Sequence, residues 1–213
     1  MKQHYTIFEH KARFFQLGDF NAQTKNLIFV LHGYGQQAKY FIQKFKGIDD
    51  GNNCIVAPEG LSRFYLEGFS GRVGATWMTK EDRLTDIDNY INYLDAVYET
   101  FQDQLNGLVK VSIIGFSQGA ATASRWLANT HAHVNQLILW AGIFPPDLDY
   151  DLIGNKFKSI DIKYVYGLQD PFLNDNRIEE MRKISSHLMV EPQTITFKGE
   201  HNIDTEVLKE IFG

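Results

Sequence analysis

The amino-acid sequence predicts one α/β domain: a mostly parallel central sheet with helices on both faces. Three observations predict it. Six short apolar runs recur along the chain with little polar alternation, as strands buried on both sides require. Helical periodicity falls between these runs, the alternation expected of parallel crossover units. The length of 213 residues, 44% hydrophobic, suffices for a single core that buries about 70% of the unfolded surface, which places residues 1–213 in one domain.

Taken in order, two weak runs, Tyr5–Phe8 and Arg13–Leu17, predict an antiparallel edge hairpin. Strands are expected at Leu27–Leu31 and Cys54–Ala57. Residues 60–78 hold Gly60, Gly68, Gly71, Gly74 and several aromatics with no helical period, and read as a long loop or small hairpin. From Arg83 to Leu105 the residues Leu84, Ile87, Ile91, Leu94, Tyr98, Phe101 and Leu105 fall at spacings of three and four, one apolar stripe on a long helix. Strand Val111–Ile114 leads to a helix after Ser117, then strands Leu137–Trp140 and Ile162–Tyr166. A helix over about 174–189, strand Thr194–Phe197 and a short helix Val207–Phe212 close the chain. Only about 18 residues, Phe144–Asp161, separate two of these strands, too few for an independent cap domain.

Bulk properties exclude several function classes. A net charge of -5 with no basic cluster argues against a nucleic-acid partner or an anionic membrane surface. Cys54 is the only cysteine and sits in an apolar run, so it reads as a buried, inert thiol without a disulfide partner. The segment Met1–Tyr5 lacks a signal-peptide core, and no apolar run approaches the ~20 residues of a membrane helix. A cytoplasmic protein without membrane insertion is expected. No metal pattern survives inspection: Asp147, Asp149 and Asp151 start like a calcium loop, but Leu152 stands at position six and Lys158 at position twelve. His131 and His133, two apart, fall on different faces of a helix.

The chemistry is carried by Gly115-Phe116-Ser117-Gln118-Gly119, a G-x-S-x-G motif between an apolar strand and a small-residue helical run. Such a strand-to-helix turn lifts a serine hydroxyl above a sheet. With 17 glycines and 8 serines in the chain, random placement gives about 0.05 occurrences, so the motif calls for a physical reason. An idle serine in an ordinary turn is the plain alternative. A serine nucleophile needs a base, and the base an orienting carboxylate, in the order Ser, Asp or Glu, His on loops after strands. Of the four histidines after Ser117, His131 and His133 end the following helix, and His187 lies within a helical pattern. His201 alone follows a strand and precedes the last helix. Asp170 follows Tyr164-Val165-Tyr166-Gly167 by a short turn and supplies the acid. Asp161 lies at the wrong end of that strand, and Asp175 reads as a helix cap. The oxyanion donors are expected at the backbone N–H of Gln118 and of Tyr34 in the loop Leu31-His32-Gly33-Tyr34-Gly35, with Gly35 next.

That loop has a second reading. Gly33-Tyr34-Gly35-Gln36-Gln37-Ala38 also fits G-x-G-x-x-A, with Glu59 some twenty residues on, the pattern of a dinucleotide-binding oxidoreductase. It leaves Ser117, Asp170 and His201 unexplained. A non-catalytic binding protein on the same scaffold is the third reading, and it leaves the order of those three residues without a purpose.

The sequence resembles the compact α/β-hydrolase esterases of the phospholipase/carboxylesterase group, which includes acyl-protein thioesterases. The resemblance rests on Leu31–Gly35, Gly115–Ala120, Gly167-Leu168-Gln169-Asp170 and Gly199-Glu200-His201, and spans nearly the whole chain. It implies an α/β-hydrolase fold without a cap, a triad of Ser117, Asp170 and His201, an oxyanion hole at Tyr34 and Gln118, and Trp77 on a loop flanking the acyl site. This chain departs from the group in having Gln36 where many members carry Asp, Ala120 where many carry Gly, and different residues around Trp77. Trp77, Phe69 and Phe172, with Tyr34, are expected to line a shallow apolar groove, simple packing being the alternative for each. The expected activity is hydrolysis of small ester or thioester substrates with short to medium acyl groups, through an acyl-enzyme, with no metal or cofactor.

Overall fold

A computed structural model describes residues 1–213, the side chain of Leu152 excepted. Nine strands form in chain order: β1 (Phe14–Leu17), β2 (Asn26–Leu31), β3 (Asn53–Pro58), β4 (Ser62–Tyr65), β5 (Val73–Thr76), β6 (Lys110–Phe116), β7 (Gln136–Trp140), β8 (Asp161–Gly167) and β9 (Gln193–Phe197). Seven of them make one sheet in the order β1-β3-β2-β6-β7-β8-β9. All neighbours in it run parallel except β1, which pairs antiparallel with β3 at the edge. The remaining two, β4 and β5, pair antiparallel as a separate hairpin within 60–78. Tyr5–Phe8 forms no strand. Tyr5, Ile7 and Phe8 are exposed, and β1 finds its partner in β3 rather than in a preceding hairpin arm.

Helices α1 (Ala38–Phe41), α2 (Arg83–Gln102), α3 (Gln118–Asn129), α4 (Tyr150–Lys158), α5 (Asp175–Leu188) and α6 (Thr205–Phe212) cover the sheet, with a 3₁₀ helix at Ile42–Ile48 continuing α1. Alternate residues of one strand serve opposite faces. Leu27, Phe29 and Leu31 of β2 pack beneath α2 and α3, while Ile28 and Val30 pack beneath the 3₁₀ helix and α6. This is why the strands read as unbroken apolar runs. Helix α2 buries Ile87, Tyr90, Leu94, Val97 and Phe101 along one stripe, each side chain contributing about 2 kcal/mol by its removal from water. The stretch between β7 and β8 holds only α4, so no cap domain stands over the sheet. Among the described residues no helix is long and apolar enough to cross a membrane.

Parallel strands align their carboxyl ends, and the loops leaving that edge are where an open α/β sheet places its ligands. The loops after β2, β6, β7, β8 and β9 all leave from it.

Candidate active site

Ser117 sits where β6 turns into α3, with φ 54° and ψ -114°. A non-glycine residue in this region costs of order 1–3 kcal/mol, and the surroundings impose it. A Cβ on Gly115 would lie 2.3 Å from Gly119 O, and one on Gly119 would lie 2.1 Å from Leu31 O. Strand, turn and helix can close this tightly only with glycine on both sides of the serine, which is the physical content of the motif. Ser117 N donates to Trp140 O at 2.9 Å, and Ala120 N donates to Ser117 O at 3.0 Å.

Asp170 and His201 come from the loops after β8 and β9, and backbone bonds join those loops. Leu168 N donates to Phe197 O and Gln169 N to Gly199 O, both at 2.9 Å. Trp140 Nε1 holds Asn202 O at 2.9 Å from the far side. Asp170 Oδ2 lies 2.7 Å from His201 Nδ1, while its Oδ1 accepts from Phe172 N at 2.9 Å. The carboxylate is fully buried and spent on two donors, so it fixes the imidazole ring. Nδ1 donates to Asp170, which leaves Nε2 as the nitrogen available to a serine hydroxyl. The rings of Phe116 and Phe172 flank the imidazole, each with its centroid 4.8 Å away.

Ser117 and His201 line one cavity of about 330 Å³, with Gln118, Phe172 and Leu173. Further apolar wall comes from Ile143, Phe144, Pro145 and Pro146. Two guanidiniums, Arg125 and Arg177, complete it. Sequence reasoning missed both arginines. Arg125 was in reach of it, because Ala121 and Arg125 of α3 follow Ser117 at four-residue spacing.

The loop after β2 is held from every side. Gly33 N donates to Gln36 Oε1 at 2.9 Å, so this glutamine ties the turn to itself. Gly35 N donates to Ala75 O and Ala75 N to Gln36 O, which pins the loop to β5. The Gly35 N–H is thereby already engaged within the loop. The N–H groups of Tyr34 and Gln118 donate to no protein group among the described residues. The Gln118 side chain faces away and grips the end of the hairpin, its Nε2 donating to Met78 O at 2.9 Å and Thr76 Oγ1 at 3.0 Å.

His32, which sequence reasoning left without a role, is fully buried under this loop. Its Nδ1 meets Gly33 O at 2.8 Å and its Nε2 accepts from Gly60 N at 2.9 Å, a pattern that requires the neutral ring. Burial lowers its pKa to about 4.

Of the four aromatics expected to line the groove, the structure brings only Phe172 to the cavity. Trp77 is 1% exposed and lies behind the loop after β2. Its indole Nε1 donates to His32 O at 2.8 Å and its ring lies 5.0 Å from the His32 ring. A buried indole needs an acceptor, and this one is found in the core. Phe69 stands 98% exposed near the turn of the β4–β5 hairpin, away from the cavity wall. The Tyr34 side chain, also exposed, packs on Phe64 with centroids 5.2 Å apart.

The residues set aside in the sequence have other engagements. Asp147 pairs with Arg125 and Arg83, and His187 with Asp151 at 3.0 Å. Cys54 is buried, which pushes its thiol up to about 12. Glu59, the acid a dinucleotide site would use, is 3% exposed, 2.7 Å from Arg13, and accepts from Ala38 N at 3.2 Å.

The family model described as Serine hydrolase (FSH1) matches residues 22–207. Among solved structures, the chain is similar to esterase PE8 at 22% identity and a TM-score of 0.68, over 95% of this chain and 100% of that one. It is similar to a phospholipase/carboxylesterase from Dyadobacter fermentans at 20% identity and a TM-score of 0.64, over 96% of each chain. It is also similar to Zea mays acyl-protein thioesterase 2 at 14% identity and a TM-score of 0.70, over 94% of this chain and 96% of that one. At these identities the likeness is one of fold, that of the α/β-hydrolases. No curated protein matches the sequence significantly.

Proposed function

The chain belongs to the serine hydrolase (FSH1) family, and from that premise we propose that it cleaves small carboxylic esters or thioesters with Ser117 as nucleophile, His201 as base and Asp170 as orienting acid. The observation that carries the reading is the 2.7 Å bond from His201 Nδ1 to the buried Asp170, beside the strained Ser117 on the wall of the same cavity. His201 Nε2 takes the Ser117 proton as Oγ attacks the carbonyl carbon. The charge that develops on the carbonyl oxygen is received by the Tyr34 and Gln118 N–H groups, each worth about 3–4 kcal/mol in comparable sites. Collapse of this intermediate expels the alcohol or thiol, protonated by His201, and leaves an acyl-Ser117. Water, deprotonated by the same ring, then attacks the acyl carbon and releases the acid. Asp170 holds the tautomer and stabilises the imidazolium without taking its proton. Phe172, against the His201 ring, forms the apolar wall for the substrate. The chemistry calls on no metal or cofactor, and the open edge suits substrates of short to medium acyl length.

The test is covalent. A fluorophosphonate should label the protein at Ser117, leave Ser117→Ala unlabelled, and abolish turnover of p-nitrophenyl butyrate in step with labelling. Equal labelling of both proteins would refute the assignment.

A further inference from the structure

Resting on the serine-hydrolase reading, we propose that this cavity selects substrates carrying a carboxylate a few bonds from the scissile carbonyl, held by Arg177 and Arg125. The chain as a whole is acidic, at -5, yet the cavity wall beside Ser117 holds two guanidiniums and, among the described residues, no carboxylate. The two arginines come from separate elements, α3 and α5, and converge on a wall that is otherwise mainly apolar. Hydrolysis of a simple alkyl ester gives no reason for either.

The alternative is that Arg125 is only half of a structural ion pair. Arg125 is 7% exposed and grips Asp147 with two nitrogens, Nη2 to Oδ1 at 2.7 Å and Nε to Oδ2 at 3.2 Å. But Arg83 Nη1 also lies 3.2 Å from Asp147 Oδ2. Two cations thus share one anion, Arg83 from a 43% exposed position, so Asp147 is not reserved for Arg125. Arg177 offers the more accessible donors. Its Nη1 meets Glu180 Oε2 at 2.6 Å, which leaves Nε and Nη2 free to grip a planar carboxylate.

The geometry sets the reach. Ser117 immediately precedes α3 and Arg125 lies eight residues further on, about 12 Å at the rise of an α-helix. Side chains on a helix lean toward its N-terminus, so the guanidinium lies nearer the serine than that. A carboxylate separated from the reacting carbonyl by a short chain spans the gap. The same chemistry can be carried by the acyl group or by the leaving group, and the two are separable by experiment.

Two matched pairs of esters test the proposal. In the first the acyl group carries the charge: p-nitrophenyl hydrogen adipate against its uncharged isostere, p-nitrophenyl isooctanoate. In the second the leaving group carries it: carboxy-nitrophenyl butyrate against p-nitrophenyl butyrate. The wild-type protein should prefer the anionic member of one pair by about tenfold in kcat/KM, mainly through KM. Arg177→Gln should lower kcat/KM for that anionic substrate about tenfold more than for its neutral partner, and Arg177→Lys should restore part of the difference. Arg177 is half exposed on α5, so these variants leave the core intact. Equal rates within both pairs, with neutral esters turned over normally, would overturn the proposal and leave the serine-hydrolase reading standing. Failure to hydrolyse any of the four esters, together with no fluorophosphonate labelling, would instead sink the reading beneath it.

Discussion

His32 makes the stability of the active-site scaffold depend on pH between 6.5 and about 4. The ring is fully buried, and it accepts from Gly60 N, so it must stay neutral in the folded state. Burial takes its pKa from 6.5 to about 4. The sign follows from proton counting. Above 6.5 the ring is neutral folded and unfolded, and contributes nothing to the slope. Between 6.5 and about 4 the unfolded chain binds a proton that the folded chain refuses, so stability falls as pH falls. Each pH decade inside that window costs about 1.4 kcal/mol, which integrates to about 2 kcal/mol between pH 8 and pH 5 and about 3 kcal/mol once pH 4 is passed. With a urea m-value of about 2 kcal/mol/M, the unfolding midpoint should drop by about 1 M from pH 8 to pH 5 on account of this residue alone. The assay is urea unfolding followed by tryptophan fluorescence at a series of pH values, for wild type and for His32→Gln, whose amide oxygen can accept from Gly60 N but cannot titrate. The other histidines and the carboxylates are common to both proteins and cancel. The variant should lose about 2 kcal/mol of the pH 8 to pH 5 difference. Parallel pH profiles for the two proteins would refute the reasoning, as would a His32 imidazole resonance titrating near 6.5.

Two further outcomes follow from the same geometry. Replacing Ser117 by glycine should remove the strain of φ 54°, worth about 1–3 kcal/mol, against about 0.5–1 kcal/mol for the flexibility glycine adds to the unfolded chain. Ser117→Gly should therefore be more stable than Ser117→Ala by about 1 kcal/mol, with both proteins inactive; chemical denaturation compares them, and an alanine variant as stable as the glycine one would count against strain at the elbow. Trp77→Phe should strand the buried His32 carbonyl and cost about 1–3 kcal/mol. Because the indole backs the Tyr34 loop without lining the cavity, kcat toward p-nitrophenyl butyrate should fall more than KM rises. A change confined to KM would place Trp77 on the substrate after all.

How much of this was legible in the sequence depends on whether a residue's job is set locally or across the fold. The elbow is local: a serine on a strained turn demands glycines within two residues on either side, and the 2.1 and 2.3 Å approaches at Gly119 and Gly115 show why. Asp170 and His201 were legible one step further out, as strand-end residues in a required chain order. The short helices were not. Helix α1 has four residues and α4 nine, with Gly154 inside it, too few turns for an apolar stripe to repeat. The aromatics failed for a different reason. Hydrophobicity says that Trp77 leaves water but not whether a substrate or the core receives it, and His32 O decides in favour of the core. Phe69 lies between Gly68 and Gly71, which give its turn freedom but no packing partner. The oxyanion donors illustrate the limit most sharply. Backbone N–H groups carry no sequence signal of their own, and the loop after β2 offers several. The choice among them is an accounting of hydrogen bonds. Gly33 N is taken by Gln36 and Gly35 N by Ala75, while the Tyr34 and Gln118 N–H groups have no protein acceptor among the described residues. In the proposed mechanism Gln36 and the hairpin strand β5 would therefore act on the chemistry without touching a substrate, since they occupy the Gly33 and Gly35 donors and leave the Tyr34 and Gln118 N–H groups for the reacting oxygen.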